Sequence, residues 1–342
     1  MREFKKYYLE QLLEFLWKQW SLLGVAGYSR SENSNFIDPE ALLIFSCTFA
    51  RYDPRLFDEI VCWLDINGNL INVQRLKKII SGENFGGKNV LSAVADFMSR
   101  RHKFLKWQGL IQKEKTEVKE SLFFLKDGTF MKQFGEINPI FAEHGFLRGK
   151  FEPGEHPEPA RLERTACLLL RLRALFGINA RSEIISYLLT KKNAHPSRIA
   201  RETYYSQKTA QDTLVEMARS GLVRITSTGR EKHYRLDKEK WTGFLSLRDK
   251  IPAWIIWPLL LKALEQLWQK LSDPNFLKLE PELQTSEFRS LIREIGPGIE
   301  KAGFPEVLTD ERSHPGGQYL SIFQADIRKL LSYLVHPANP QD

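Results

Sequence analysis

The sequence predicts a mainly α-helical protein that is divided into several domains. With 342 residues, the chain is longer than one average hydrophobic core can serve. Hydrophobic residues make up 42% of it, which is typical of a globular protein rather than a disordered one. Over much of the chain, apolar residues recur at three- and four-residue spacing, and this period indicates amphipathic helices.

Helix signals dominate residues 1–148, which we interpret as an N-terminal helical domain. A first helix is predicted over residues 4–23 from its apolar spacing. Asp38-Pro39 and Asp53-Pro54 each place a capping carboxylate before a proline that suits the first helical turn. The other elements predicted here are helices over 39–50, 54–66, 73–80 and 89–101, and a strand over 122–130 that turns at Asp127-Gly128.

A domain boundary is predicted at residues 149–160, which hold three prolines, two glycines and three glutamates. A central domain over residues 161–241 then begins with an arginine-rich helix that ends at Gly177. Its arginines Arg164 and Arg171 share one face, where they are suited either to phosphates or to acidic groups of a neighbouring domain.

A C-terminal helical domain is predicted over residues 250–336. Trp254, Trp257 and Trp268 fall on one stripe of its first helix, which favours a helical core or a dimer interface over a ligand pocket. The predicted helices cover 253–271, 286–302 and 318–335, and the second is interrupted near Gly296-Pro297-Gly298.

Residues 179–236 combine three short helices with a hairpin. The first helix is predicted over 181–189, the second starts at Pro196, and Tyr204-Tyr205 makes the turn to the third. Ser206 is a suitable N-cap for the third helix because its hydroxyl can accept a backbone N–H. The residues predicted to face the core are Ile184, Ile185, Leu188, Ile199, Ala200, Ala210, Leu214 and Met217.

The hairpin follows directly after Gly221, which ends the third helix. In its first strand Val223 and Ile225 alternate with Arg224, and in its second strand Tyr234 and Leu236 return to the core. Thr228-Gly229 supplies the turn between them. This order of helices and hairpin predicts a central winged helix-turn-helix with a small β-hairpin wing.

Positive charge is concentrated in the same segment. The chain has a net charge of +8, and residues 180–240 hold 13 Lys or Arg against 7 Asp or Glu. A basic module of this kind is suited to a polyanion, so double-stranded DNA is the predicted partner.

The third helix and the hairpin hold the predicted DNA contacts. Gln211 can pair with adenine, Lys208 can donate to guanine or to phosphate, and Asp212 can accept from a cytosine amino group. The basic hairpin tip is suited to the phosphate backbone. The predicted DNA-binding residues are Ser206, Gln207, Lys208, Thr209, Gln211, Asp212, Arg224, Arg230, Lys232 and His233.

The order of elements, together with the residues GLV, GR and Y-x-L of the hairpin, resembles winged-helix bacterial regulators of the broad MarR and ArsR type. The resemblance covers about 60 of the 342 residues. It implies DNA binding, commonly as a dimer. The large helical domains on both sides depart from those small regulators, so their ligand and metal sites do not carry over.

The sequence contains no motif for binding a metal, a cofactor or a nucleotide. Cys47, Cys62 and Cys167 form no CxxC pair, and the seven histidines form no HExxH, so no metal or cofactor is predicted. The segment GENFGGKN at residues 82–89 mimics a phosphate loop but lacks the Ser or Thr that binds magnesium. The longest apolar run, residues 251–261, is too short to span a membrane, so a soluble protein is predicted. Three cysteines without a disulfide framework favour the cytoplasm, and since no catalytic motif is found, no enzymatic activity is predicted.

Three functions from different classes remain open at this point. One is a nucleic-acid enzyme that docks through the central domain, which would need a carboxylate or histidine cluster that the linear spacing does not supply. The other two are favoured over it. The first is a sequence-specific transcriptional regulator that binds a palindromic site as a homodimer. The second is an antitoxin-like or defence-associated interaction protein. Its flanking helical domains would bind a partner protein, and its central domain would regulate its own operon.

Overall fold

A computed structural model describes residues 1–25, 35–102, 105–112, 119–154, 160, 162–229, 231–247, 251–314 and 316–336. Within these residues the fold is mainly α-helical, as the sequence predicts. None of the helices in this part of the chain is long and apolar enough to cross a membrane.

The N-terminal part of the chain is a packed group of helices. They are α1 Arg2–Leu23, α2 Pro39–Phe49, α3 Pro54–Asn67, α4 Val73–Glu83, α5 Lys88–His102, α6 Leu105–Gln108 and α7 Pro139–Glu143. The predicted starts of α2 and α3 are confirmed, because the Asp38 side chain accepts the Ala41 N–H and the Asp53 side chain accepts the Leu56 N–H. Two short strands, β1 Glu120–Ser121 and β2 Phe146–Leu147, pair in parallel.

The strand predicted over residues 122–130 does not form, although its turn does. Gly128 has a φ of 94°, and the Leu125 N–H donates to the Thr129 carbonyl oxygen. The arms of the turn meet only in an isolated bridge between Phe124 and Phe130. The Phe124 N–H donates instead to the Arg51 carbonyl oxygen, so contact with the helical body replaces a longer strand ladder.

The central segment contains the three-helix arrangement and the hairpin. Its elements are α8 Leu168–Phe176, α9 Ala180–Thr190, α10 Pro196–Thr203, α11 Gln207–Arg219, β3 Val223–Thr228, β4 Glu231–Leu236 and α12 Lys238–Phe244. The arginine-rich helix is shorter than predicted. Arg164 has an extended backbone, and its guanidinium donates to the Ser21 carbonyl oxygen at 2.8 Å, so α8 begins only at Leu168.

A separate hydrophobic core holds this central segment together. All eight residues predicted to face the core from α9, α10 and α11 are buried, as are Val223, Tyr234 and Leu236 of the hairpin. Ile225 differs from Val223 of the same strand, since 44% of it is exposed. Two backbone hydrogen bonds between Ala194 and Tyr234 form an isolated antiparallel bridge. This bridge holds the segment before α10 against the edge of the hairpin.

The C-terminal helices are α13 Trp257–Ser272, α14 Pro281–Ala302 and α15 Tyr319–Val335. The predicted interruption near Pro297 is wrong, because α14 continues through it. A proline inside a helix removes one backbone hydrogen bond. Here the buried side chains of Ile292, Ile295 and Ile299 hold both halves of the helix against the core.

The two ends of the chain share one hydrophobic core. This core contains buried residues of α1 to α5 together with buried residues of α13, α14 and α15. The Tyr8 hydroxyl donates to the Leu264 carbonyl oxygen at 2.8 Å, and Lys18 Nζ donates to the Val335 carbonyl oxygen at 2.9 Å. The boundaries predicted at 148/161 and 241/250 stay predictions, but packing joins the first and third segments into one body.

Candidate nucleic-acid interface

The N-terminal half of α11 presents polar side chains to solvent. Ser206 caps the helix, and its Oγ accepts the Thr209 N–H at 3.0 Å. Ser206, Gln207, Lys208 and Thr209 are all exposed, whereas the opposite face of α11 packs into the core. Four residues of the predicted DNA-binding site are therefore accessible together in the first turn of α11.

Gln211 connects α11 to the hairpin. It is half-buried, and its Nε2 donates to the Tyr234 hydroxyl at 3.1 Å. One of its amide hydrogens is thus directed toward β4, while the carbonyl oxygen has no partner among the described residues. Asp212 is exposed on the next position of the helix.

The turn between α10 and α11 is attached to α4 of the N-terminal body. Tyr204 adopts a left-handed backbone with φ 60°, and its hydroxyl donates to Glu83 Oε1 at 2.6 Å. Burial, and then this hydrogen bond to a carboxylate, raise the pKa of Tyr204. The neighbouring Tyr205 hydroxyl accepts from Asn72 Nδ2 at 2.6 Å. The turn is therefore held by two phenol groups.

Beneath this turn lies a buried charge network, which we define as Asp38, Glu40, Arg75, Arg173 and Glu183. Arg75 Nη1 binds Asp38 and Glu40, each at 2.7 Å, and its Nε donates to the Thr203 carbonyl oxygen at the end of α10. Arg173 binds Glu40 at 2.7 Å and also pairs with Glu183. Burial raises the pKa of Asp38, but the charge and hydrogen bonds of Arg75 outweigh burial and hold that pKa below its usual value.

The network ties four parts of the chain together. Asp38 and Glu40 belong to the start of α2, Arg75 to α4, Arg173 to α8 and Glu183 to α9. All five side chains are at most 10% exposed. The helices α9 to α11 are therefore joined to the N-terminal body by directional contacts between charged groups.

The predicted DNA-binding residues of the hairpin differ in exposure and in charge pairing. Lys232 is exposed on β4. Arg224 pairs with Asp237 Oδ2 at 3.1 Å, so its charge is partly compensated. His233 is only half-exposed, and its ring lies 5.9 Å from that of His195. Arg230 lies outside the described residues.

Further cations near the hairpin were not among the predicted site residues. Lys192 is exposed in the loop that the Ala194–Tyr234 bridge holds beside β4. Burial, and then the positive charge of Lys192, lower the pKa of Lys238, so these two ammonium groups are close enough to repel each other. Arg235 on β4 is also exposed. The adjacent lysines Lys191 and Lys192 were the sequence feature from which this additional basic surface could have been predicted.

Other basic segments are engaged in contacts within the protein. Arg100 binds Asp96 through two nitrogens at 2.8 Å, and Arg101 binds Asp65 at 2.8 Å. Of the two arginines predicted on one face, Arg164 donates to α1 carbonyl oxygens, and Arg171 donates to the Leu245 carbonyl oxygen at 2.8 Å. Both guanidinium groups thus bind backbone carbonyl oxygens of the protein, and within the described residues neither forms the ion pair with an acidic group that the sequence offered as the alternative to phosphate binding.

One cluster has the residue types of a hydrolase triad. His144 lies 3.3 Å from Ser92 Oγ through Nδ1 and 3.1 Å from Asp96 Oδ2 through Nε2. Ser92 is fully buried, however, and its Oγ accepts the Gln112 N–H at 2.8 Å. A nucleophilic serine must be accessible to its substrate, and Ser92 is not. The hydrogen bonds of this cluster instead hold His144 at the end of α7, and Gln112, against α5.

The described residues contain neither a free phosphate loop nor a cluster of metal ligands. The Gly86 N–H in the phosphate-loop-like segment donates to the Glu265 carboxylate, a contact that an anion could not share. Among the described residues, no cluster of three or more His, Cys, Asp or Glu side chains is arranged around a metal position.

Comparison with protein-family models, with curated proteins and with solved structures found no match to this chain. Its function is therefore inferred from its own residues and their geometry.

Proposed function

We propose that this protein is a sequence-specific regulator that binds double-stranded DNA through a winged helix-turn-helix and acts as a homodimer. In this proposal α11 is the recognition helix and the β3–β4 hairpin is the wing. The observation that carries the proposal is the exposed polar first turn of α11, a helix whose Ala210, Leu214 and Met217 pack into the core and whose Gln211 contacts the hairpin.

The order and contacts of the elements support this assignment. Helices α9, α10 and α11 pack around one core, and the hairpin follows α11 directly. The bridge from Ala194 to Tyr234 supplies a third, minimal strand ahead of α10. A recognition helix with a hairpin beside it can enter the major groove while the hairpin lies along the backbone.

Charge pairing among the described residues leaves exposed lysines without an acidic partner on α11 and β4, beside the exposed carboxylates Asp212 and Glu231. The acidic side chains Glu202, Glu216 and Asp237 are each paired with an arginine of the same unit. Within the described part of the chain, Lys208 and Lys232 have no acidic partner and are exposed. Unpaired exposed cations beside polar helix residues are suited to phosphates that flank a base-reading surface.

The docked turn gives the proposed DNA-binding unit a fixed orientation. Tyr204, Tyr205 and Arg75 attach the turn between α10 and α11 to the body, directly before the exposed first turn of α11. In a dimer, the separation of two such units would set the distance between half-sites, about one helical turn or a multiple of it.

The experiment is an unbiased selection of bound DNA from a random pool by the full chain. We expect recovery of a two-fold symmetric sequence. With that sequence, Lys208→Ala should reduce the slope of log affinity against log salt by about one unit, because one phosphate contact is lost. Lys329→Ala, which removes an exposed lysine on α15, is the matched control and should leave the slope unchanged.

Base reading is tested separately with Gln211→Ala. This variant should relax the preference at one base pair of the selected sequence, at a cost of about 1–3 kcal/mol for the preferred base. Recovery of a random background, or equal effects of Lys208→Ala and Lys329→Ala, would contradict the proposal. Stable association with another protein in place of DNA would favour the interaction-protein alternative.

A further inference from the structure

A cavity lies in the helical body, and none of the predicted DNA contacts lines it. Its volume is about 440 Å³, and its walls come from α2, the start of α5, the β1–β2 pair and the end of α13. Sites for small molecules usually enclose about 300–1,000 Å³. Its aromatic lining consists of Tyr52, Phe124, Phe146 and Trp268.

At one wall of this cavity, Asp273 terminates α13. The carbonyl groups at the end of a helix carry partial negative charge, so a carboxylate is unfavourable there. Asp273 Oδ1 accepts the Asn275 N–H at 2.9 Å, but within the described part of the chain no cation pairs with the carboxylate. The adjacent Ser272 Oγ is buried and finds no hydrogen-bond partner among the described residues. Two polar groups at this wall are thus incompletely satisfied.

The other charges of the cavity are already compensated. Arg51 Nη2 donates to Glu120 Oε1 at 2.7 Å, and Arg51 Nε donates to the Leu122 carbonyl oxygen at 2.7 Å. Just behind the wall, Glu265 accepts from Thr48 and from Lys262. Among the described charged residues that line the cavity, Asp273 is therefore the one without a partner of opposite charge.

The aromatic rings of the wall already lie close to cations of the chain. Arg51 lies over Phe124 at 4.2 Å from the ring centroid, and Lys5 Nζ lies over Trp268 at 5.2 Å. The faces of such rings attract positive charge, and aromatic walls are a common means of binding ammonium groups. Because Arg51 and Lys5 already lie over Phe124 and Trp268, the carboxylate of Asp273 determines the charge of the favoured ligand, and the aromatic walls favour an apolar or aromatic part beside that charge.

We propose that this cavity binds a small organic cation. Its ammonium group lies beside Asp273 and the last carbonyl groups of α13, and its apolar or aromatic part lies against Tyr52 and Trp268. This inference is independent of DNA binding, since the cavity is lined by no residue of α9 to β4.

The test is a thermal-shift and calorimetric titration of the full chain with two cations, phenethylammonium and benzyltrimethylammonium. Phenethyl alcohol and phenylacetate serve as the neutral and anionic counterparts. We expect saturable binding of at least one cation and no comparable binding of the counterparts. Asp273→Asn should weaken that binding by about tenfold or more, because a charge-assisted contact is lost.

Asp273→Asn keeps an oxygen that can accept the Asn275 N–H, so the local fold should be preserved, and its unfolding midpoint checks this. Glu306→Gln, at an exposed carboxylate outside the cavity, is the matched control and should bind the cation as the parent protein does. Failure of both cations to bind would overturn the proposal. Equal binding of cation and alcohol, or equal binding by the Asp273→Asn variant and the parent protein, would overturn it as well.

Discussion

Arg173 offers the most direct test of how the helices α9 to α11 are held to the body. We expect Arg173→Met to destabilise the protein strongly while keeping a side chain of similar length. The arginine is fully buried and donates five hydrogen bonds, to Glu40, Glu183 and the Leu70 carbonyl oxygen. Removing it leaves two buried carboxylates with fewer partners.

The magnitude follows from the loss of a partner for each carboxylate. Glu40 keeps its contact with Arg75 at 2.7 Å, but Glu183 loses its only ion pair among the described residues. Removal of one member of a buried ion pair costs about 3–5 kcal/mol, because the remaining charge is uncompensated. We therefore expect a loss of about 4 kcal/mol in the free energy of unfolding.

Urea unfolding followed by tryptophan fluorescence measures this loss. The matched control is Arg181→Met, which removes an exposed ion pair with Glu216, where the two side chains are 47% and 57% exposed. Exposed pairs contribute about 0–1 kcal/mol, so the control should change little. Adding Glu183→Gln to Arg173→Met should recover part of the loss. If Arg173→Met costs no more than Arg181→Met, the proposed role of the network is refuted.

Two further outcomes are expected. Gly87→Ala should cost about 1–3 kcal/mol of unfolding free energy, because the added Cβ would lie 2.8 Å from Cys47 Cβ. Gly154→Ala, whose Cβ meets no described atom within 4 Å, is its control and should leave the urea midpoint nearly unchanged. Burial lowers the pKa of Lys106 to about 8 from an ordinary value of 10.5, despite the nearby charge of Glu40. The unfolded chain therefore holds this proton more tightly, and the unfolding free energy should rise between these two pH values. Lys106→Met should lack this part of the rise, and parallel pH profiles of the two proteins would contradict the assignment.

Local features of the fold were predictable from the sequence. The capping residues Asp38, Asp53 and Ser206 act within three residues of themselves, so their patterns can be recognised without a fold. The helical period likewise identified the buried face of α11. Pro297 shows the limit of such local signals, since packing of residues far along the chain keeps α14 continuous.

The candidate site was predictable only in part for the same reason. The exposure of Lys208 and its neighbours follows from helix geometry. The contact of Gln211 with Tyr234 joins residues 23 positions apart, and that of Arg173 with Glu40 joins residues 133 positions apart. Neither contact can be predicted from the spacing of residues in a single sequence. An arginine in an amphipathic helix is usually on the surface, and only the fold places Arg173 inside.

The packing of α1 against α13 and α15 has a consequence for how the chain is made. Tyr8 and Leu264 are 256 positions apart, and Lys18 and Val335 are 317 positions apart. At usual rates of translation the first helix waits roughly 15–60 s for its last partner to leave the ribosome. During that interval the part of the apolar face of α1 that packs against α13 and α15 is uncovered, and contacts of such long sequence separation form slowly even afterwards. Chains that stop before α15 would keep that face exposed, and they would therefore be prone to aggregate or to be bound by chaperones.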